Sequence, residues 1–350
     1  MLPSVASYLS PGMADDTLGI TPGDRYVLVL VDGLGWANLY DPSSAAPALR
    51  AMTAKRLTVG VPSTTAASLT SLSTGVTPAR HGIVGFSFRT RPGVVLNTML
   101  WDDPQSVPED VQPVPTWFQR LDAPSAAVVP DSFIGSGLTR AYLRGADVIG
   151  VANESDWCAR VRQVAEVTAH YPLTFVYERS LDHTAHLKGW RTPAWRKQLA
   201  AIDGFVAALG DALPPGTRLL VTGDHGMVDV PKTHRVFIED EPALNEGVDL
   251  VGGEGRLRHL YTNDAAAVAR RYREWLGHRG EVRMRGEALG WFGDEAPSPE
   301  VLSRIGDVVV AMRDDWALLT TTRPREASMI GLHGSLTPAE RGVPLLRGES

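Results

Sequence analysis

Tyr26-Val-Leu-Val-Leu-Val31, followed at once by Asp32-Gly33, is the stretch that decides the fold. The run is apolar from end to end and so has no polar face. It reads as a strand buried on both sides, and such strands belong in a parallel sheet between two layers of helices. Asp32 then stands at the carboxyl end of a central strand, the edge where open α/β sheets bind their ligands.

Three more segments share this form: Ala126-Ala-Val-Val-Pro130, Leu173-Thr-Phe-Val-Tyr177 and Arg218-Leu-Leu-Val-Thr222. Apolar residues at three- and four-residue spacing predict helices over Asp156 to His170 and Pro193 to Leu213. Strand alternating with helix predicts an α/β fold, a three-layer core with a mostly parallel central sheet between helices. Residues 1–24, rich in Pro, Gly and Ser, read as a lead-in with one short helix. Residues 1–235 form the first part of the core on this reading. From 236 to 315 the character changes: Gly252-Gly-Glu-Gly255 is hairpin-like, Ala265 to Gly277 is a helix and Val308-Val-Val310 closes a set of short mixed elements. That segment reads as a small α+β cap insertion, and residues 316–350 return to the core.

The chain has 350 residues, 43% hydrophobic and 21% charged, which describes an ordinary globular protein with room for one large α/β unit and an insertion. A net charge of −6 argues against a nucleic-acid polymer as partner, whose binding draws on a basic surface. Cys158 is the sole cysteine, so neither an intrachain disulfide nor a thiolate metal cluster can be built. The start, Met1-Leu-Pro-Ser-Val, has no basic region before an apolar run, and nothing approaches the roughly 18 apolar residues of a membrane span. The expected location is cytoplasmic, with no membrane partner. Oligomeric state leaves no mark in the pattern.

The chemistry begins at Val59-Gly-Val-Pro-Ser-Thr-Thr-Ala-Ala-Ser68, where Thr64 and Thr65 follow a short apolar strand and open a helix among small residues. A helix N-terminus directs unpaired N–H groups at negative charge, so a phosphoryl or sulfuryl group is a natural guest. The bland alternative is a helix cap, and the residues alone leave both hydroxyls open as nucleophiles. Asp224-His225, held between Gly223 and Gly226 at a strand end, offers adjacent oxygen and nitrogen ligands. Asp182 and His186 stand at i and i+4, which places both on one helical face, while His183 points away. Asp32 and His333, taken singly, are a turn aspartate and a loop histidine. Together, three Asp and three His, at strand ends or in Gly-bounded loops, describe a metal site beside a hydroxyl.

The ordered series Val31-Asp32-Gly33, Pro62-Ser-Thr-Thr65, Thr74-Gly75 with Pro78 and His81-Gly-Ile83, Asp182-x-x-x-His186-x-x-Gly189, Gly223-Asp224-His225-Gly226 and His333-Gly334 resembles the alkaline phosphatase superfamily, and within it the nucleotide pyrophosphatase/phosphodiesterase branch. The resemblance runs from about residue 26 to 340. It implies a metal-dependent hydrolase of small phosphate esters with two Zn2+ ions, though manganese or iron suits the same nitrogen and oxygen ligands. It assigns Asp182, His186 and His333 to one ion and Asp32, Asp224 and His225 to the other. It selects Thr65 over Thr64 as the nucleophile between them, because the family threonine lies three residues after the motif proline. Two ions about 4 Å apart would clamp an in-line displacement through a threonyl-phosphate intermediate.

One position departs from the pattern. Where the branch carries an asparagine that donates to a phosphoryl oxygen, this chain has Phe86, which cannot donate. Phe86 and Trp101 are candidates for a substrate-binding wall, with Phe88 beside them, although aromatics are more often core. Phosphomonoester or phosphonate hydrolysis on the same site is the alternative, with Arg89, Arg140 and Arg179 as the arginines that could clamp a dianion. A sulfatase is excluded by the absence of a Cys/Ser-x-Pro-x-Arg setting around Thr65. A non-catalytic metal-binding protein is the remaining reading.

Overall fold

The computed structural model describes residues 1–349. Its centre is a seven-stranded sheet in the order Thr53–Thr58, Gly342–Glu349, Arg218–Thr222, Tyr26–Val31, Leu173–Glu178, Ser125–Pro130, Asp147–Val151. Tyr26–Val31 pairs in parallel with Leu173–Glu178 on one side and Arg218–Thr222 on the other. Gly342–Glu349 runs antiparallel to both of its neighbours. Its Pro344 lies just beyond the last residue of the Arg218–Thr222 ladder, so the missing N–H takes no bond from that strand.

The two-sided burial expected of the opening stretch is realised residue by residue. Tyr26, Leu28 and Leu30 enter a core shared with Ala66, Leu69, Tyr142 and Phe175. Val27, Val29 and Val31 enter a second core with Leu199, Ile202, Phe205 and Leu209 on the other face. The helix of that second layer, Pro193–Ala212, begins with Pro at its first position under a Thr192 cap, and its neighbour Trp157–His170 is capped by Asp156.

Residues between 236 and 315 carry a four-stranded antiparallel sheet, in the order Leu250–Glu254, Leu257–Tyr261, Val308–Met312, Gly280–Met284. Alternation along its strands divides it. Leu260, Val308 and Val310 pack on the helix Ala265–Leu276, whereas Leu257, Val309 and Ala311 join the core that contains Leu28 and Leu30. One sheet face is therefore continuous with the main core. The strand expected immediately before Thr64 differs in the structure: the strand there is Thr53–Thr58, a mostly exposed edge strand, and Val59 to Ser63 is irregular.

Candidate active site

Every element that supplies a candidate ligand does so from the carboxyl edge of the parallel strands. Asp32 follows Val31, with its N–H bonded to Glu178 O at 2.8 Å. Asp224 and His225 follow Thr222. Asp182 and His186 lie on the helix Ser180–Lys188, whose start is held by Glu178: it accepts from Ser180 N at 2.7 Å and forms a buried ion pair with Arg160. The His333 loop reaches the same edge because Gly331–Leu332 pairs with Val228–Asp229, and Ser63 N donates to Gly334 O at 3.2 Å.

Thr65 is the first residue of the helix Thr65–Thr74 and is nearly buried. Its Oγ1 lies 3.2 Å from His225 Nε2. The same nitrogen stands 3.3 Å from Asp32 Oδ1 and 3.5 Å from Asp224 Oδ2. His186 Nε2 is 3.2 Å from Asp182 Oδ2, and His333 Nε2 is 3.9 Å from Asp182 Oδ1. The rings of His225 and His333 stack at 3.5 Å. All six acidic and histidine candidates thus converge beside Thr65.

The imidazoles share one orientation. His186 Nδ1 bonds Gly331 O at 2.7 Å, His225 Nδ1 bonds Gly226 O at 2.9 Å and His333 Nδ1 bonds Ser63 O at 3.0 Å. A carbonyl can only accept, so each Nδ1 carries the proton, and each Nε2 is turned inward toward the carboxylates. Three buried carboxylate oxygens, Asp32 Oδ1, Asp182 Oδ1 and Asp224 Oδ2, have no hydrogen-bond partner among the described residues. Unpartnered carboxylate oxygens are costly to bury. Gathered among three Nε2 atoms, they form a nitrogen and oxygen donor set that fits divalent cations.

Ligand atoms of Asp182, His186 and His333 lie within 4.8 Å of one another, which matches one expected trio. The second compact group is Asp32, Asp182 and His225, with Asp182 common to both. Asp224 belongs to neither compact group: its Oδ1 accepts from the N–H groups of Gly33 and His225, each at 3.0 Å, and its unpartnered Oδ2 lies 3.5 Å from His225 Nε2.

The electrostatics express the same crowding. Burial, and then the charge of Asp182, pushes Asp32 well above the usual carboxylate range, and burial with Asp32 does the same to Asp224. Burial alone would lower His186, but the Asp182 carboxylate overrides it and holds the imidazole at about 9. Burial, reinforced by His225, drives His333 well below its ordinary value.

A cavity of about 190 Å³ opens beside Thr65, lined among others by Phe86, Met99, Glu254, Glu326, Met329 and Leu332. Phe86 faces it. Trp101 does not line it: the indole packs against Gly137, where an added Cβ would stand 2.1 Å from the ring, and Nε1 donates to Ser106 O. Phe88 is fully buried in the core. The arginines weighed from sequence are engaged elsewhere, Arg140 with Glu109, Arg179 with Glu154 and Arg89 with Ser303 O and the Tyr261 ring.

Sequence reasoning passed over Tyr177, whose hydroxyl donates to Asp32 Oδ2, and Glu254, which lines the cavity. Tyr177 ends a recognised strand beside Asp32's own, and a parallel register would have found it. Glu254 sits in a glycine cluster that signals a turn and nothing more.

In fold the chain is similar to human ectonucleotide pyrophosphatase / phosphodiesterase 5, with a TM-score of 0.73 at 17% identity over 92% of this chain and 87% of that one. It is similar to the murine counterpart, an inactive form in complex with AMP, at 0.71 and 17% over 92% and 87%. Phosphonoacetate hydrolase from Sinorhizobium meliloti 1021, in complex with phosphonoformate, gives 0.68 and 19% over 94% and 92%. No curated protein sequence matches the chain. A family described as type I phosphodiesterase / nucleotide pyrophosphatase matches residues 26–336. The chain belongs to the type I phosphodiesterase / nucleotide pyrophosphatase family and is a phosphoric ester hydrolase.

Proposed function

We propose that this hydrolase cleaves small phosphodiesters with Thr65 as nucleophile, between two cations held by Asp182, His186 and His333 and by Asp32, Asp224 and His225, and that both cations are zinc. The observation that carries the reading is the shared orientation of the three imidazoles, each Nδ1 bonded to a carbonyl and each Nε2 facing orphaned carboxylate oxygens. When bound, the cations would supply Lewis-acid charge that lowers the pKa of the Thr65 hydroxyl and neutralises the departing oxygen.

The chain's own residues do the rest. Thr65 Oγ1, fixed at the start of a helix and facing His225, displaces one alcohol from phosphorus, and water then hydrolyses the threonyl phosphate. The N–H groups of the helix start offer donors to the phosphoryl oxygens, a role made heavier by Phe86 in place of a donor. Among the residues lining the cavity there is no Arg or Lys to clamp a dianion, which favours a diester over a monoester. The lone, exposed Cys158 is in keeping with a cytoplasmic location.

Turnover of bis(4-nitrophenyl) phosphate against 4-nitrophenyl phosphate, with and without chelator, tests the substrate and the metal. Thr65→Ala is expected to lower diester turnover by about a thousandfold or more while elemental analysis still finds zinc. Full turnover in that variant removes Thr65 from the role, and faster monoester than diester hydrolysis removes the diester preference.

A further inference from the structure

Three of the orphaned carboxylate oxygens near Thr65 belong to the candidate ligands Asp32, Asp182 and Asp224, but a fourth, Glu254 Oε1, does not. Glu254 ends the strand Leu250–Glu254 and lines the same cavity from the tip of its hairpin. The tip is clamped from behind. Arg256 donates to Glu340 Oε1 and Oε2 at 2.9 and 2.8 Å, and Arg258 pairs with Glu326, all four side chains buried. Glu254 is therefore presented to the cavity by a rigid element.

Its environment excludes the metal cluster as its destination. Glu254 approaches His333 at Nδ1, 3.9 Å from Oε2, on the ring edge already bonded to Ser63 O and away from Nε2. Gly334, with φ +125°, leaves the room in which the carboxylate lies, since a Cβ there would stand 2.7 Å from Oε1. Glu326, the other non-cluster carboxylate of the cavity, is satisfied by Arg258. Glu254 thus keeps one acceptor, Oε1, unmatched against Gly334, while its side chain lines the cavity among the apolar residues Phe86, Met99, Met329 and Leu332. A buried acceptor left unmatched is costly, and a site built around one discriminates strongly for a ligand that supplies the donor.

We propose that Glu254 sets substrate specificity: its carboxyl group accepts a hydrogen bond from a hydroxyl or amine on one arm of the diester, while the carbons of that arm lie against the apolar side chains of the wall. The proposal rests on the phosphodiesterase reading above. In either protonation state the carboxyl group keeps an acceptor oxygen, so the recognition does not depend on its charge.

Propyl, 3-hydroxypropyl and 3-aminopropyl 4-nitrophenyl phosphates, offered to the zinc-loaded full chain, differ only in the donor. At least one donor-bearing diester is expected to exceed the propyl ester in kcat/KM by about tenfold or more. Glu254→Leu should bring that ratio near one, and Glu254→Gln, which keeps an acceptor oxygen, should retain much of it. A wild-type ratio within about twofold of one overturns the proposal, even where Glu254→Leu does not fold. An equal fall on all three esters with loss of zinc in Glu254→Leu also overturns it, because the residue would then only position His333. If the wild type hydrolyses none of the three, the diester reading fails first and this inference with it.

Discussion

Thr64 and Thr65 are neighbours of the same type, yet the structure gives them different company. Thr65 Oγ1 meets His225 Nε2 at 3.2 Å, whereas Thr64 holds the cap position, makes no side-chain cap bond and lines the cavity with Glu254. The residues alone could not separate them, because which way a side chain leaves the start of a helix depends on backbone angles set by contacts distant in sequence. Phe86 is a second place where one residue decides much. It lines the cavity, and Phe86→Asn restores an amide donor near the phosphoryl site, so diester kcat should rise by about tenfold; an unchanged rate in steady-state assays would count against a missing donor. His81 and His259 carry a pH effect. His81 Nδ1 accepts from Ile83 N and its Nε2 meets Ser71 Oγ, while His259 Nδ1 accepts from Gly306 N and its Nε2 donates to Val84 O. A second ring proton would break the accepted bond in each. Burial holds the two rings at about 3 and about 4, below the ordinary 6.5. Below pH 6.5 the unfolded chain takes up protons at these two positions that the folded one refuses, so the stability they contribute is full above that value and falls toward pH 4, by up to about 1.4 kcal/mol per pH unit for each ring. A fall in urea midpoint between pH 7.5 and 5 that is no smaller in His81→Asn than in the wild type would contradict this.

Among the elements, the buried parallel strands and the long amphipathic helices were legible because burial on two faces, or on one stripe, writes itself into the residue pattern. The spacing of Asp182 and His186 was legible for the same reason, and both lie on Ser180–Lys188. Thr53–Thr58 and Gly342–Glu349 were not. The first is an exposed edge strand with polar and basic residues, and the second contains Gly and Pro, so neither shows the apolar run that a strand search detects. The loop that bears Asp224 and His225 is held by close backbone contact. A Cβ on Gly226 would stand 2.0 Å from Ala339 O, and one on Gly223 would stand 2.3 Å from Leu34 O. Gly226→Ala should therefore cost about 1–3 kcal/mol in chemical unfolding and lower metal content with it. Wild-type stability in that variant would show the loop to be more compliant than its packing indicates.

At the scale of the molecule, the site is a meeting of segments separated by up to three hundred residues. Residue type and local setting pointed to the six acidic and histidine candidates, and the resemblance divided them into two trios; in the structure Asp182 stands in both compact sets, and the hairpin tip with Glu254 comes from the four-stranded sheet. Such juxtapositions follow from the packing of Leu257, Val309 and Ala311 into the main core, which local pattern does not encode. Gathering Asp32, Asp182 and Asp224 in a buried site sets up repulsion that cations would relieve. Chelation should accordingly lower the melting temperature as well as activity, and added zinc at about a hundred times its Kd should return about 2.7 kcal/mol. A melting curve indifferent to chelator would speak against a resident metal. The placement of Gly342–Glu349 between Thr53–Thr58 and Arg218–Thr222 bears on biosynthesis. A nascent chain that has not yet released residue 349 from the ribosome has nothing to fill that slot, so the early edge strand must wait unattached for the late one. Premature termination anywhere before residue 342 would leave a gap in the sheet beside the strand that leads to Asp224 and His225, and cells should find such fragments to be substrates for proteolysis rather than partly working enzymes.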